Sequence, residues 1–165
     1  LLARAAELAP DLQFVLAGPR FVDVAPLMAR PNVRLLGAVP HEDVARYMVR
    51  FDVGVLPYSI NPFTAGIMPI KLKEYLAAGL PVVATPLPEV RRFAERYPDL
   101  VRFASDPEGF VAALRAALSE SAPGALERRQ AVARLYDWDE QMVRMNELIE
   151  RALERKRGAD ARVTA

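Results

Sequence analysis

Two charged side chains, three residues apart, are the strongest candidates for chemistry in this sequence. Lys71 and Glu74 follow residues 58–68, a segment rich in small and polar residues. Pro69 precedes them directly, and proline is favoured at the first position of a helix. The spacing places the ammonium and the carboxylate on one face of that helix, near its amino end. A helix amino end that follows a small-residue loop is a good site for an anion such as phosphate.

The carboxylate extends this hypothesis from a phosphate to a larger ligand. Lysine binds phosphate as a point charge, and acidic side chains accept hydrogen bonds from ribose hydroxyls in dinucleotide-binding folds. Lys71 beside Glu74 therefore suits an anion next to a sugar, as in a nucleotide-sugar. The same spacing is also typical of an ordinary exposed ion pair, which is the commoner occurrence. The residues alone leave both interpretations open.

Composition excludes several other kinds of site. The 165 residues include 22 Lys and Arg, 21 Asp and Glu, one His and no Cys, for a formal net charge of +1. The lack of cysteine excludes a disulfide scaffold, a thiol nucleophile and cysteine-ligated metals, and a single histidine excludes a multi-histidine metal site. The balanced charge disfavours nucleic acid as a partner. No apolar run approaches the roughly 20 residues that span a bilayer.

Short apolar runs alternate with helical patterns along the chain. The predicted strands are residues 13–17, 33–36, 52–56, 81–85 and 100–104. The predicted helices are residues 1–9, 23–29, 41–50, 69–78, 89–96, 108–120, 125–136 and 139–155. This alternation predicts an α/β fold with a Rossmann-like open parallel sheet and flanking helices. We expect one domain over residues 1–157 and a disordered tail over residues 158–165.

The order of these elements is incomplete at its beginning. A doubly wound domain starts with a strand, a loop and a helix, whereas the first element here is the end of a helix. We therefore expect the chain to be the C-terminal part of a larger protein, with the first strand of the domain missing. Ligands of such sheets bind beyond the carboxyl ends of the strands. Three loops qualify, over residues 18–21, 37–40 and 58–68.

Other residues receive plainer interpretations. Asp52 invites comparison with the phosphoacceptor of a receiver domain, but it begins its predicted strand, whereas that phosphoacceptor lies at a carboxyl end. Fold analogy of this kind carries little weight. We expect Trp138 to pack locally, Arg128 and Arg129 to lie on a solvated face, and residues 110–118 to belong to the core.

The segment from Asn61 to Thr85, NPFTAGIMPIKLKEYLAAGLPVVAT, strongly resembles the donor-binding segment of GT-B glycosyltransferases of the bacterial family 1/4 type. The pieces FVLAGP, NVRLLGAVPHEDV and FDVGVLPYS fit the same family in order, as does a tryptophan near the final helix. The resemblance covers about residues 1–155. It implies the C-terminal, nucleotide-sugar-binding half of such an enzyme, truncated at its amino end.

This resemblance implies roles by position. Glu74 matches the second glutamate of the E-x7-E motif, which hydrogen-bonds the ribose, and Lys71 matches a lysine expected at the diphosphate. The first glutamate of the motif is absent, because Gly66 stands eight residues before Glu74, so the stereochemistry of transfer stays open. The remaining implied donor-site residues are Thr64, Ala65, Gly66, Ile67 and Met68 through backbone amides, Val39 and Pro40 near the base, Gly18 and Pro19 at an interdomain cleft, and Ile70.

The resemblance also implies substrates and partners. The full enzyme would transfer a sugar from a UDP- or GDP-linked donor to a glycan or lipid-linked acceptor in polysaccharide biosynthesis. Any acid or base would lie in the missing N-terminal domain. No cofactor or metal is required, because Lys71 and the helix amino end would stabilise the departing diphosphate. The expected location is the cytoplasm, with peripheral association at the inner face of the membrane. A sugar-nucleotide epimerase of the same architecture and a non-catalytic Rossmann-type binding module remain alternatives.

Overall fold

Five short strands alternate with helices over residues 1–163, whose backbone is described by a computed structural model; the side chains are described for residues 1–157. The strands are β1 (Phe14–Ala17), β2 (Val33–Gly37), β3 (Gly54–Leu56), β4 (Val82–Ala84) and β5 (Val101–Phe103). The helices are α1 (Leu2–Leu8), α2 (Ala25–Met28), α3 (His41–Met48), α4 (Ile70–Ala77), α5 (Pro88–Arg96), α6 (Pro107–Leu118), α7 (Ala125–Arg134) and α8 (Trp138–Val163). The predicted order of strands and helices is confirmed.

Local sequence explains where several helices begin and end. Pro88 and Pro107 occupy the first positions of α5 and α6, where the missing N–H costs nothing. The carboxylate of Asp106 accepts a hydrogen bond of 2.8 Å from the Gly109 N–H and so caps α6. Gly79 follows α4 with φ of +80°, a left-handed conformation that commonly ends helices. These punctuating residues made the boundaries predictable.

The strands form two hydrogen-bonded groups, and all pairs within them are parallel. β1 pairs with β2, while β4 lies between β3 and β5. In the second group Gly54, Val82 and Val101 stand in register. The predicted parallel α/β class is confirmed, with the strands in two ladders.

Two apolar clusters cover opposite faces of the three-stranded group. Leu72, Leu76 and Phe93 pack with Val82 and Ala84 on one face. The other face carries Val83, which packs with residues of α1 and α6, and Phe14 of β1 joins this second cluster. All three residues of β4 are buried, as expected for a parallel strand covered on both faces. The layer formed by α1 and α6 is therefore shared by both strand groups.

Three expectations about single residues and segments need correction. Arg129 is buried, because its guanidinium is held between a carboxylate and a backbone carbonyl. Trp138 is 73% exposed, since the first turn of α8 projects away from the core. The last helix runs to Val163, past its predicted end near residue 155 and into the predicted tail. Residues 164–165 of that tail lie outside the described residues. The predicted core segment 110–118 is confirmed by its buried apolar face, formed by Phe110, Leu114 and Ala117.

Candidate functional site

The loop between β3 and α4 is shaped by hydrogen bonds of its own. The hydroxyl of Thr64 donates to the Ser59 carbonyl at 2.7 Å and accepts from the Asn61 N–H at 3.0 Å. The side-chain oxygen of Asn61 in turn accepts from the Thr64 N–H at 3.0 Å. Thr64 is buried, so its side chain holds the loop in place and does not face a ligand.

Several backbone amides that are predicted to bind a diphosphate instead donate hydrogen bonds to carbonyls of this loop. The N–H groups of Thr64 and Ala65 donate to the Asn61 carbonyl, and that of Ile67 donates to the Thr64 carbonyl. Gly66 ends a short 3-10 helix, Thr64–Gly66, in which each N–H is directed at the carbonyl three residues earlier. The Met68 N–H meets no acceptor among the described residues. An atom added at the Cα of Gly66 would find open space. Of the five predicted amides, the Met68 N–H therefore stays available to a ligand.

The amino end of α4 lies directly after these amides. Pro69 precedes the helix, and no side chain caps its first turn in the described part of the chain. The N–H groups at the start of a helix lack intrahelical acceptors and carry partial positive charge. Ile70, at the first helical position, is 59% exposed. The amino end of α4 is thus accessible to an anion.

Lys71 and Glu74 form an ion pair on the surface of α4. Their side chains are 41% and 29% exposed, and a pair so exposed contributes little to stability. A phosphate could therefore displace the carboxylate from Lys71 at small cost. Lys71 also lines a cavity of about 310 Å³ together with Tyr58 and Tyr75.

Tyr75 was not singled out by the sequence, and the structure places it at the centre of this site. It lines the cavity beside Lys71 and packs over the backbone of Gly54 in β3. Burial of the side chain, and to a lesser degree the charge of Glu74, raises the pKa of the Tyr75 phenol. The phenol therefore stays protonated at neutral pH and is able to donate a hydrogen bond.

Gly54→Ala tests this packing. A Cβ at position 54 would lie 2.4 Å from Cγ of Tyr75, so the ring must move. We expect a loss of about 1–3 kcal/mol in the free energy of unfolding, as for other overpacked sites, measured by urea denaturation. Gly66→Ala is the matched control, because its Cβ meets no atom within 4 Å; its effect should stay within about 0.5 kcal/mol. Equal stability of the two variants would contradict the expected clash.

The start of the loop is anchored by the end of β4. The hydroxyl of buried Thr85 donates to the Tyr58 carbonyl at 2.7 Å, and its N–H donates to the Leu56 carbonyl at 3.0 Å. These two bonds fix the backbone just before the cavity. Thr85 thus positions Tyr58.

The other predicted residues lie beyond β1 and β2. The Gly18 N–H donates to the Gly37 carbonyl at 2.7 Å, which joins the two loops that carry Pro19, Val39 and Pro40. Gly18 and Gly37 have φ of +146° and +74°, conformations that glycine adopts readily. The structure thus gathers the predicted site residues into two groups, one beyond β3 and one beyond β1 and β2.

Two further properties concern metals and membranes. No three His, Asp or Glu side chains cluster into a metal-binding group within the described residues. None of the helices described is both long and apolar enough to cross a bilayer.

A parallel α/β fold with a loop and a helix amino end at the strands' carboxyl edge is an architecture that many ligand-binding domains and enzymes share. The family model described as "Glycosyl transferases group 1" matches residues 1–120, and the chain belongs to this family. Asp52 lies before β3, at its amino end, which is the wrong end for the receiver-domain alternative. The predicted resemblance to GT-B glycosyltransferases is thereby confirmed for family and fold.

Two known proteins illustrate the similarity. TuaH of Bacillus subtilis (strain 168), which its name provisionally describes as a teichuronic acid biosynthesis glycosyltransferase, is 33% identical over 144 residues. That match covers 84% of this chain and 36% of TuaH. The crystal structure of AviGT4, a glycosyltransferase involved in avilamycin A biosynthesis, superposes with a TM-score of 0.64 at 20% identity. The superposition covers 93% of this chain and 46% of AviGT4. The chain thus spans less than half the length of either protein.

Proposed function

We propose that this chain is the nucleotide-sugar-binding half of a glycosyltransferase that transfers a sugar from a nucleoside diphosphate donor to a glycan or lipid-linked acceptor. One observation carries the proposal. Lys71 stands in the first turn of α4, whose amino end no described side chain caps, and it lines a cavity beside Tyr58 and Tyr75. A cation that lines a cavity and stands in the first turn of an uncapped helix favours a phosphate-bearing ligand.

The positive groups suit the chemistry of transfer. As the sugar leaves its donor, negative charge grows on the diphosphate, and preorganised donors that face this charge lower the barrier. Lys71, the first amides of α4 and the free amide of Met68 would be such donors. Glu74 would exchange its bond with Lys71 for the ribose hydroxyls. UDP and GDP are the donor carriers we expect, with the base toward Val39 and Pro40.

Exposed apolar side chains near the site suggest where the rest of the protein lies. Phe21, Val22 and Phe63 are 88%, 77% and 84% exposed, and they belong to the loops that follow β1 and β3. Exposed apolar groups of this size commonly mark surfaces covered by another part of a protein. An acceptor-binding domain over this edge would supply the acid or base and complete the cleft at Gly18 and Pro19.

The acceptor we propose follows from the chemistry of a relative. The name of TuaH connects that relative with teichuronic acid biosynthesis, and we propose a glycan or a lipid-linked intermediate of polysaccharide biosynthesis as the acceptor of this protein. With a lipid-linked acceptor, the enzyme would act from the cytoplasm at the inner face of the membrane. Both locations belong to the proposal and depend on the acceptor.

Calorimetric titration with UDP, GDP and ADP tests the donor site. We expect one nucleotide to bind selectively, and Lys71→Ala and Glu74→Ala to weaken its binding about tenfold or more, which corresponds to roughly 1.4 kcal/mol. Lys71→Ala should have the larger effect, because the lysine meets the charged diphosphate.

Glu89 and Arg92 provide a matched control. They form the same i,i+3 ion pair near the amino end of α5, but they do not line the cavity. Arg92→Ala should bind the nucleotide like the unchanged chain. Unaltered binding by Lys71→Ala, or an equal loss in Arg92→Ala, would contradict the proposed site.

A further inference from the structure

Helix α7 packs along α4 and hydrogen-bonds the carbonyl end of that helix. The Arg129 guanidinium donates to the Gly79 carbonyl at 3.0 Å, two residues past the last residue of α4. The side-chain amide of Gln130 donates to the Ala77 carbonyl at 3.4 Å. The last carbonyls of a helix have no donor within the helix, so α7 supplies donors that α4 itself lacks.

The turn at Gly79 is also packed closely against α7. A Cβ at position 79 would lie 2.9 Å from Cγ of Leu126. The φ of +80° at Gly79 is a conformation that glycine adopts readily. Packing and hydrogen bonds thus act on the same turn, and together they hold the carbonyl end of α4 against α7.

A second contact lies nearer the amino end of α4. Nζ of Lys73 stands 4.5 Å from the centroid of the Tyr136 ring, which follows α7, and a cation over an aromatic ring is attracted to it. The Tyr136 ring packs with those of Phe93 and Tyr97, at centroid distances of 5.9 and 6.3 Å. The segment 125–136 therefore contacts α4 at two levels.

The guanidinium of Arg129 is itself held in place. Arg129 is 6% exposed, and its second terminal nitrogen donates to the Glu120 carboxylate at 2.6 Å. Arg102 of β5 lies 3.7 Å from the same carboxylate oxygen. A guanidinium is a rigid planar fork, so its two bonds fix the position of the Gly79 carbonyl relative to Glu120 and β5.

Helix α4 is short enough to move as one body. Its eight residues span about 12 Å at the usual rise per residue. Leu72 and Leu76 are fully buried against the strands, which fixes the distance of the helix from the sheet. The contacts at Gly79 fix one end of its axis. Release of that end would therefore tilt the helix and displace its first turn, which carries Lys71.

We propose that Arg129 is a positioning residue of the donor site. By fixing the carbonyl end of α4, it fixes the place of Lys71 and of the first-turn amides at the other end. The Gly79 carbonyl and Ile70 stand at opposite ends of α4, so Arg129 acts through the helix and touches no ligand. The inference rests on the proposed function, because the site that Arg129 positions is the proposed donor site.

Amide chemical shifts in the ligand-free chain test whether Arg129 positions α4. In Arg129→Ala, we expect the amide resonances of Met68, Ile70 and Lys71 to move, while the Leu16 resonance in β1 stays in place. Arg129→Lys should move the same resonances less, because lysine keeps the charge but not the fork. This second variant also supplies the measurement if Arg129→Ala does not fold.

Asn32→Ala is the matched control for lost stability. It breaks buried hydrogen bonds to the end of α1 and the turn into β1, and none of these bonds involves α4. We expect the β1 resonances to move in this variant and those at the amino end of α4 to stay. The two variants should thus give opposite patterns.

Calorimetric titration with UDP, GDP and ADP measures the consequence for the site, with each variant first shown to be folded by circular dichroism. We expect Arg129→Ala to weaken binding of the selected nucleotide about fivefold or more, since small displacements of positioned groups are costly. Arg129→Lys should recover part of this loss. Asn32→Ala should bind like the unchanged chain, because its donor site is intact.

The outcomes separate positioning from stability and from the donor site itself. Unmoved resonances at the amino end of α4 in both Arg129 variants would overturn the proposal. Equal losses of affinity in folded Arg129→Ala and Asn32→Ala would also overturn it, because stability alone would explain them. If the unchanged chain binds none of the three nucleotides while the α4 resonances move in Arg129→Ala, the donor site is overturned and the positioning of α4 is supported.

Discussion

Arg129→Ala is expected to lower the free energy of unfolding by about 3 kcal/mol, the low end of the range for breaking a buried ion pair. The guanidinium is buried and donates to a Glu120 carboxylate oxygen at 2.6 Å and to the Gly79 carbonyl at 3.0 Å. Alanine would leave Glu120, whose side chain is only 16% exposed, without its main partner. Arg102, at 3.7 Å, would compensate in part, which keeps the expected loss near the lower limit.

The neighbouring arginine is a matched control for this effect. Arg128 is exposed and donates to the Pro98 carbonyl at 3.1 Å. Arg128→Ala should change stability by no more than about 0.5 kcal/mol, as other surface substitutions do. Guanidinium denaturation of both variants measures the difference. Equal losses for the two arginines would show that the contacts of Arg129 are not the cause.

Asn32→Asp is expected to destabilise the protein by at least about 3 kcal/mol, because a buried ionised carboxylate without a donor is costly. The side-chain amide of buried Asn32 donates to the backbone carbonyls of Ala6, Ala9 and Leu12, at 2.9–3.0 Å. These carbonyls form the end of α1 and the turn into β1. An ionised aspartate at this position would face three carbonyl oxygens with no hydrogen to donate.

Two further variants separate charge from lost hydrogen bonds. Asn32→Ala removes the donor without adding a charge and should cost less, about 1–3 kcal/mol. Asn146→Asp makes the same chemical change on the exposed surface of α8 and should be nearly neutral. Thermal and urea unfolding of all three variants measures these differences. A similar loss for Asn32→Asp and Asn146→Asp would show that the three carbonyls do not depend on Asn32.

The predicted helices and strands agree with the structure where the local sequence signals are strong. Apolar runs bounded by Gly18, Gly37 and Gly79 mark strand and helix ends, and Pro69, Pro88 and Pro107 mark helix beginnings. These signals involve only a few neighbouring residues, so they can be recognised without knowledge of the fold. The i,i+3 spacing that places Lys71 and Glu74 on one face of α4 is local in the same sense.

The candidate site was predicted less completely, for reasons visible in its hydrogen bonds. Thr64 has the side chain of a ligand-binding residue, yet its hydroxyl is committed to the Ser59 carbonyl inside the loop. Tyr75 enters the site only because Gly54, 21 positions earlier in the numbering, leaves room for its ring. Neither fact follows from residue type or periodicity.

The sequence by itself determined the order of elements, the parallel α/β class and, through one long motif, the family; the donor site at α4 stays a prediction. Periodicity, turn residues and motif spacing are properties of neighbouring residues, so they are legible in the chain alone. Only the tertiary structure decided that the strands form two ladders and that Asn32 and Arg129 are buried and hydrogen-bonded to residues distant in sequence. These features join residues far apart in the chain, as Arg129 and Gly79 are, and packing and desolvation in three dimensions determine which of them meet.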